Sequence, residues 1–112
     1  MIDAETRAAV LFGYPVHHSF SPAMHNAAFQ ATGLNCVYLA VPVPPARLEG
    51  AVAAVAALDL LGANVTVPHK EQVLGFLDEV TPESRLIGAV NTIVNRGGRL
   101  VGHNTDGPGF VR

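Results

Sequence analysis

Cysteine, tryptophan and charge are all scarce in this sequence of 112 residues. Cys36 is the single cysteine, so an intrachain disulfide and a zinc site built from several cysteines are both excluded. Charged residues make up 14% of the chain and the formal net charge is −2, which is unlike a nucleic-acid binder. No apolar run reaches the ~20 residues that span a bilayer, and Asp3 and Glu5 at the start are unlike a signal peptide. We therefore expect a cytoplasmic protein without nucleic-acid or membrane partners.

Apolar residues are plentiful by contrast, at 49% of the chain, and they occur in short segments. Strands are predicted at 8–13, 36–43 and 62–68, and a β-hairpin at 89–106 with its turn at 95–98. Val65 and Val67 are predicted to share one face of the third strand. Helices are predicted at 21–33, 46–62 and, with an interruption at Gly75, 69–80.

Strands and helices alternate along the chain, in the predicted order β-α-β-α-β-α-β-β. Such an order predicts an α/β fold, with a mostly parallel sheet, helices on both faces and a C-terminal β-hairpin. The expected architecture is a three-layer sandwich formed by residues 1–112 as one domain. In sheets of this kind, ligands bind at the carboxyl ends of the strands.

Polar side chains follow the predicted strands where each one ends. They are Ser19, Ser21, Asn64, Thr66, Lys70, Asn91, Asn104, Thr105 and Asp106. If the strands are arranged as predicted, one rim of the sheet holds all nine. Hydroxyls, amides, an ammonium and a carboxylate together suit a small polyhydroxylated acid.

Four of these side chains also have a plainer interpretation. Ser21 could cap the helix at 21–33 with Ser19 in solvent, or both hydroxyls could hold a carboxylate at the positive end of that helix. Lys70 could be a surface residue in the first turn of a helix. Asp106 could cap a final helix, or orient Lys70. The residues alone leave these alternatives open.

Three other kinds of site are disfavoured by spacing. The five histidines have neither an i, i+4 pair nor accompanying carboxylates, so no metal site is expected. The G-x-S-x-G elbow of serine hydrolases is missing. A G-x-G-x-x-G dinucleotide motif is missing too, because Gly97, Gly98 and Gly102 fall within the predicted hairpin.

Four motifs make the pattern specific: "GYPVHHSFSPAMHN", "GANVTVPHK", "IGAVNTI" and "GHNTDGPGF". In their order and spacing the chain resembles the N-terminal substrate-binding domain of the shikimate dehydrogenase family. The resemblance runs through essentially the whole chain. It implies an NADP-dependent oxidoreductase that reversibly reduces 3-dehydroshikimate to shikimate, in the biosynthesis of aromatic amino acids.

The resemblance also implies a role for each site residue. Ser19 and Ser21 correspond to the serines that bind the substrate carboxylate. Thr66 and Asn91 correspond to residues that contact the ring hydroxyls. Lys70 and Asp106 correspond to the catalytic pair, and both also contact substrate. His69, between the proline and the lysine of its motif, receives no role.

The chain stops at "GPGFVR", where the family continues into a dinucleotide-binding domain. We therefore expect the NADP-binding Rossmann domain to be absent, the fragment alone to bind no cofactor or metal, and the isolated chain to be inactive. Exposure of Phe110 and Val111 is expected to favour self-association. Two alternatives remain: a quinate/shikimate dehydrogenase, and a stand-alone module that binds shikimate-like acids without turning them over.

Overall fold

The computed structural model describes residues 2–105, which form one mixed β-sheet with helices. Its strands are β1 (Arg7–Gly13), β2 (Cys36–Pro42), β3 (Gly62–Val65), β4 (Glu79–Val80), β5 (Thr92–Arg96) and β6 (Arg99–His103). The helices are α1 (Ser21–Thr32), α2 (Leu48–Ala57) and α3 (Pro82–Ile87), with short 3₁₀ turns at Pro45–Arg47 and Gln72–Phe76. Among these, no helix has the length and apolar content that crossing a membrane requires.

The sheet has the strand order β2-β1-β3-β5-β6-β4. β1 runs parallel to both β2 and β3, and β4 runs parallel to β6. β5 is antiparallel to β3 and to β6, with which it forms the predicted hairpin. Gly97 and Gly98 make the two-residue turn between β5 and β6, with φ angles of 62° and 99° that suit glycine. The mostly parallel sheet and its C-terminal hairpin are confirmed.

Successive side chains of β1 point to opposite faces of the sheet and pack into a separate layer on each face. Val10 and Phe12 pack with Val52 and other apolar residues of α2 in the larger core. Leu11 points to the opposite face, where it packs with β2 and with Phe29 of α1. Helices therefore cover both faces, as the three-layer sandwich predicts. The two layers are unequal, because α1 has no fully buried residue whereas α2 has three.

The structure corrects the prediction for the third strand. β3 ends at Val65, and Val67 is 65% exposed, so the two valines do not share a buried face. The chain turns instead at Thr66, whose carbonyl accepts a hydrogen bond from the His69 amide at 3.0 Å. Pro68, after a cis peptide bond, has no N–H with which to continue a strand ladder.

The helix predicted at 69–80 is also wrong. The chain forms only a 3₁₀ turn at Gln72–Phe76 and then enters the sheet as β4. The helix at 46–62 is shorter than predicted and covers Leu48–Ala57. α3 was not predicted, although Thr81 caps it by accepting from the Ser84 amide and Gly88 ends it with φ 81°.

Candidate functional site

The predicted site residues lie at one end of the sheet, where several strands finish. The carboxyl ends of β1, β3 and β6 lie at this end together with the start of β5, because Asn64 pairs with Thr92 and Thr92 pairs with His103. The loop after β1 carries Ser19, and the loop after β3 carries Lys70. The predicted common rim is therefore present for the described part of the chain.

A cavity of about 310 Å³ lies at this rim, between the loop after β1 and the loop after β3. Its polar lining includes Ser19, Ser21 and Thr66, with His18 beside them. Its apolar lining includes Leu11 and Val16, together with Pro15 and Val67. The structure thus brings three of the predicted hydroxyls to one cavity, which we call the hydroxyl cavity.

The two serines sit at the start of α1 in a way that leaves their hydroxyls available. Phe20 occupies the N-cap position and makes no side-chain cap, so the interpretation of Ser21 as the helix cap is wrong. The Ser21 amide donates to Ser19 Oγ at 3.1 Å, which leaves the Ser19 hydroxyl hydrogen to donate elsewhere. The Ser21 hydroxyl has no hydrogen-bond partner within residues 2–105.

The start of α1 also favours negative charge. No acidic residue occupies its first turn, so nothing there offsets the positive end of the helix dipole. Hydroxyl donors beside such an end favour an anion over a cation.

Thr66 forms the opposite wall of the hydroxyl cavity. Its amide donates to the Phe12 carbonyl at 2.9 Å, which fixes the backbone of the loop to the end of β1. Its hydroxyl has no partner within the described part of the chain. Gly13 allows this approach, because a Cβ at position 13 would clash with Thr66 Cγ2.

Lys70 and Asn91 are neighbours at the same rim. The Val90 amide donates to the Lys70 carbonyl at 2.8 Å, and the Val65 amide donates to the Asn91 carbonyl at 2.8 Å. Of the residues that the structure describes, neither Lys70 nor Asn91 is among those that line the hydroxyl cavity. The loop at 66–70 connects the hydroxyl cavity to the pair formed by Lys70 and Asn91, since it carries Thr66 at one end and Lys70 at the other.

The Asn91 amide is held by a ring of local contacts. Its Oδ1 accepts from the Thr92 hydroxyl at 2.9 Å and from the Thr105 amide at 3.1 Å. Its Nδ2 donates to Thr105 Oγ1 at 2.9 Å. Within residues 2–105 the second Nδ2 hydrogen has no partner, so the amide can still donate to a ligand hydroxyl.

Asn64 and Tyr38 extend this polar cluster across the sheet. The Tyr38 hydroxyl donates to Asn64 Oδ1 at 2.9 Å, and Asn64 Nδ2 donates to Thr92 Oγ1 at 3.3 Å. Burial raises the pKa of Tyr38 to about 12, which keeps its hydroxyl a donor. The sequence predicts Asn64 at this rim, two residues before Thr66, without a role of its own. Nothing in the sequence alone places Tyr38 beside it.

The remaining predictions cannot be placed on the structure. Asp106, the second member of the predicted catalytic pair, lies outside the described residues, as do Phe110 and Val111. Within residues 2–105, no three His, Cys, Asp or Glu side chains are grouped so that they could hold a metal ion. The glycines of the described chain also form no loop between a strand and a helix that could cradle a dinucleotide, because Gly97 and Gly98 lie in the hairpin turn.

The fold and this rim define an α/β domain with a partly polar cavity at the carboxyl ends of its strands. A family model described as the shikimate dehydrogenase substrate binding domain matches residues 11–93. The chain belongs to this family. The predicted resemblance to this family is thereby confirmed.

Individual relatives agree with the family match. The NADP(+) shikimate dehydrogenase of Symbiobacterium thermophilum is 62% identical over 101 residues, which cover 90% of this chain and 34% of that protein. The crystal structure of Listeria monocytogenes shikimate 5-dehydrogenase with shikimate and NAD matches with a TM-score of 0.91 and 44% identity, covering 94% of this chain and 36% of that one. A ligand-free 5-ketofructose reductase of Gluconobacter matches with a TM-score of 0.90 and 37% identity, covering 96% and 39%.

These relatives are much longer than the chain. It spans between 34% and 41% of the length of curated shikimate dehydrogenases to which it is similar.

Proposed function

We propose that this chain is the substrate-binding domain of an NADP-dependent shikimate dehydrogenase and that it binds shikimate and 3-dehydroshikimate. The observation that carries the proposal is the hydroxyl cavity, where Ser19, Ser21 and Thr66 face one space at the unopposed positive end of α1. The family membership and the NADP(+) dependence printed for its relatives support it. The single cysteine supports a reducing compartment such as the cytoplasm.

In this proposal the carboxylate of the acid binds to Ser19 and Ser21. Ser19 donates its hydroxyl hydrogen because its oxygen already accepts from the Ser21 amide. Ser21 donates an otherwise unused hydroxyl. Hydrogen bonds to an ionised carboxylate are about twice as strong as neutral ones, so these two residues supply both affinity and orientation.

The ring hydroxyls of the substrate then contact Thr66 and Asn91. Thr66 contributes a hydroxyl from the wall of the cavity, and Asn91 contributes the second hydrogen of its Nδ2. Lys70 lies beside Asn91 through its contact with Val90. We assign the Lys70 ammonium to the carbonyl oxygen that is reduced at C3.

Lys70 would act at that oxygen in two ways. Negative charge develops there as the carbonyl carbon is reduced, and a positioned ammonium stabilises the charge and then donates the proton. The Asp106 carboxylate is assigned to orient Lys70 and to accept from a substrate hydroxyl. The described residues do not fit a dinucleotide, so we assign NADP binding to a further domain outside this chain and expect the isolated chain not to turn over substrate.

A calorimetric titration of the 112-residue chain tests the proposal. Shikimate is expected to bind to the wild-type chain. Ser21→Ala and Thr66→Val are each expected to weaken binding by roughly tenfold, the loss typical of one hydrogen bond to a ligand. Thr32→Val, which changes an exposed threonine whose hydroxyl bonds its own helix, is the matched control.

Shikimate methyl ester separates an acid site from a site for a neutral polyhydroxylated ketone. The ester is expected to bind to the wild-type chain much more weakly than the acid does. Its affinity is expected to fall only slightly further in Ser21→Ala. Equal binding of acid and ester would contradict the carboxylate assignment and favour a neutral ligand of the kind that the name 5-ketofructose reductase indicates for one structural relative. Tighter binding of quinate than of shikimate would favour the quinate/shikimate alternative. No binding by a folded wild-type chain would contradict a site formed by this chain alone.

A further inference from the structure

His69 is a completely buried histidine that the proposed mechanism does not use. It is 0% exposed, and it directly precedes Lys70 in the loop after β3. Its ring lies against the end of β2, with Nε2 at 2.6 Å from the carbonyl oxygen of Val43. A carbonyl can only accept, so the ring must carry a hydrogen on Nε2 and donate it there.

The His69 ring joins two strands that are not neighbours in the sheet. β1 lies between β2 and β3, so no backbone ladder connects the residues that follow these two strands. Val43 is itself fixed to β1, because its amide donates to the Gly13 carbonyl at 2.9 Å. The ring therefore ties the loop after β3 to the end of β2, whereas the Thr66 amide bond to Phe12 and the Tyr14 amide bond to Val67 tie the same loop to β1.

The backbone around His69 holds the loop to this anchor. The His69 amide donates to the Thr66 carbonyl and the Val73 amide donates to the His69 carbonyl, both at 3.0 Å. The Lys70 carbonyl accepts from Val90. Because Lys70 directly follows His69 in the chain, displacement of the His69 ring would be passed to the Lys70 backbone and would strain its bond to Val90.

We propose that His69 is a positioning residue, which fixes the loop at 66–70 through its hydrogen bond to Val43 so that Lys70 reaches the reacting oxygen. This inference rests on the proposed function for its kinetic consequence. An apolar ring of similar size would serve equally well if His69 only filled the core. A role in positioning differs from a role in packing because it requires the hydrogen bond that His69 donates to Val43. That bond links the loop after β3 to the end of β2, on the far side of β1.

Two substitutions separate the effect of the hydrogen bond to Val43 from the effect of the space that the His69 ring fills. His69→Phe keeps a ring but removes the donor, and His69→Gln places an amide N–H where Nε2 lies. In the full-length protein that carries this chain, His69→Phe is expected to lower kcat by about tenfold or more with little change in KM, because misplacement affects the chemical step. His69→Gln is expected to recover most of kcat, Lys70→Ala to abolish turnover, and His17→Gln, at an exposed histidine, to change nothing.

Two further measurements do not depend on turnover. Nitrogen-15 spectra of the wild-type protein are expected to show the ring hydrogen of His69 on Nε2. Amide exchange is expected to be faster at His69, Val73 and Val90 in His69→Phe than in wild type, with recovery in His69→Gln. Inactive wild-type protein would contradict the proposed function, while these two measurements would still decide the role of His69.

Three results would overturn the inference. The first is a ring hydrogen on Nδ1 only, which needs no variant and so holds even if His69→Phe fails to fold. The second is unchanged kcat and amide exchange in a folded His69→Phe. The third is a loss of kcat in His69→Gln as large as that in His69→Phe, which would show that the hydrogen bond donated to Val43 does not position Lys70.

Discussion

Single side chains at the rim owe their positions to close contacts, and Gly13 makes the tightest one. A Cβ at this position would lie 2.7 Å from Val16 Cγ1 and closer still to Thr66 Cγ2, which are both in the wall of the hydroxyl cavity. Real side-chain carbons do not approach so closely, so either the wall moves or β1 shifts. Gly13 is thus required for the shape of the site as well as for the end of β1.

Gly13→Ala is expected to destabilise the chain by about 1–3 kcal/mol, the usual effect of an added methyl group in a packed interior. It is also expected to weaken shikimate binding, because Thr66 must move. Gly50→Ala is the matched control, since a Cβ there meets nothing within 4 Å and alanine stabilises a helix interior by roughly 0.5–1 kcal/mol. Urea unfolding and calorimetry check both effects. Similar results for the two variants would contradict this account of Gly13.

At the same scale, the sequence could predict which residues form the rim but not how they are held. The order of the predicted strands and the positions of their ends were enough to bring Ser19, Thr66 and Asn91 to the same end of the sheet. The anchoring of Asn91 by Thr92 and Thr105 depends on the register of β5 against β6, which no local pattern states. The role of His69 depends on Val43, which is 26 residues away in the chain.

Among the elements, those with strong local signals were predicted well and those decided by tertiary contacts were not. α1 ends at Gly33, with φ 71°, and the hairpin turns at two glycines, as their residue types indicate. The segment at 69–80 has a helical pattern. It becomes a 3₁₀ turn followed by β4 because β6 offers a free edge with which Glu79 and Val80 pair.

One side chain, Asn95, links the hairpin to α2 and to the connection that follows it. Asn95 Nδ2 donates to the carbonyls of Val55 and Leu60, at 3.1 and 2.8 Å, and its Oδ1 accepts from the Gly98 amide at 2.8 Å. The same amide thus closes the hairpin turn and joins β5 to the connection between α2 and β3.

Asn95→Ala is expected to destabilise the chain by about 2–3 kcal/mol, since each of the three bonds contributes about 1 kcal/mol. Asn95→Asp keeps the acceptor for Gly98 but turns a carboxylate toward two carbonyl oxygens, so it is expected to cost at least as much. Arg96→Ala, at an exposed neighbour, is the control. Chemical denaturation measures all three, and a nearly neutral Asn95→Asp would show that the Nδ2 contacts do not stabilise the fold.

For the whole molecule, the open edges of the sheet determine how copies could associate. β4 forms one edge and is only two residues long, whereas β2 forms the other over seven residues. Exposed strand edges pair readily with other chains. On β2, the outward amide and carbonyl of Tyr38 are both taken by Asn26 of α1, at 2.8 and 2.9 Å. Asn26 thereby occupies the place that a residue of a further strand would take.

Asn26→Ala is expected to cause concentration-dependent self-association by exposing those two backbone groups at an edge where Leu34 and Leu39 are 57% and 53% exposed. Gln30→Ala, on the same helix and facing the same groove, is the control because its side chain makes no hydrogen bond within residues 2–105. Light scattering over a concentration series measures the association. A folded Asn26→Ala that stays as monomeric as the control would show that Asn26 does not protect the edge. Strong association of the wild-type chain would instead point to another surface, such as the predicted one around Phe110.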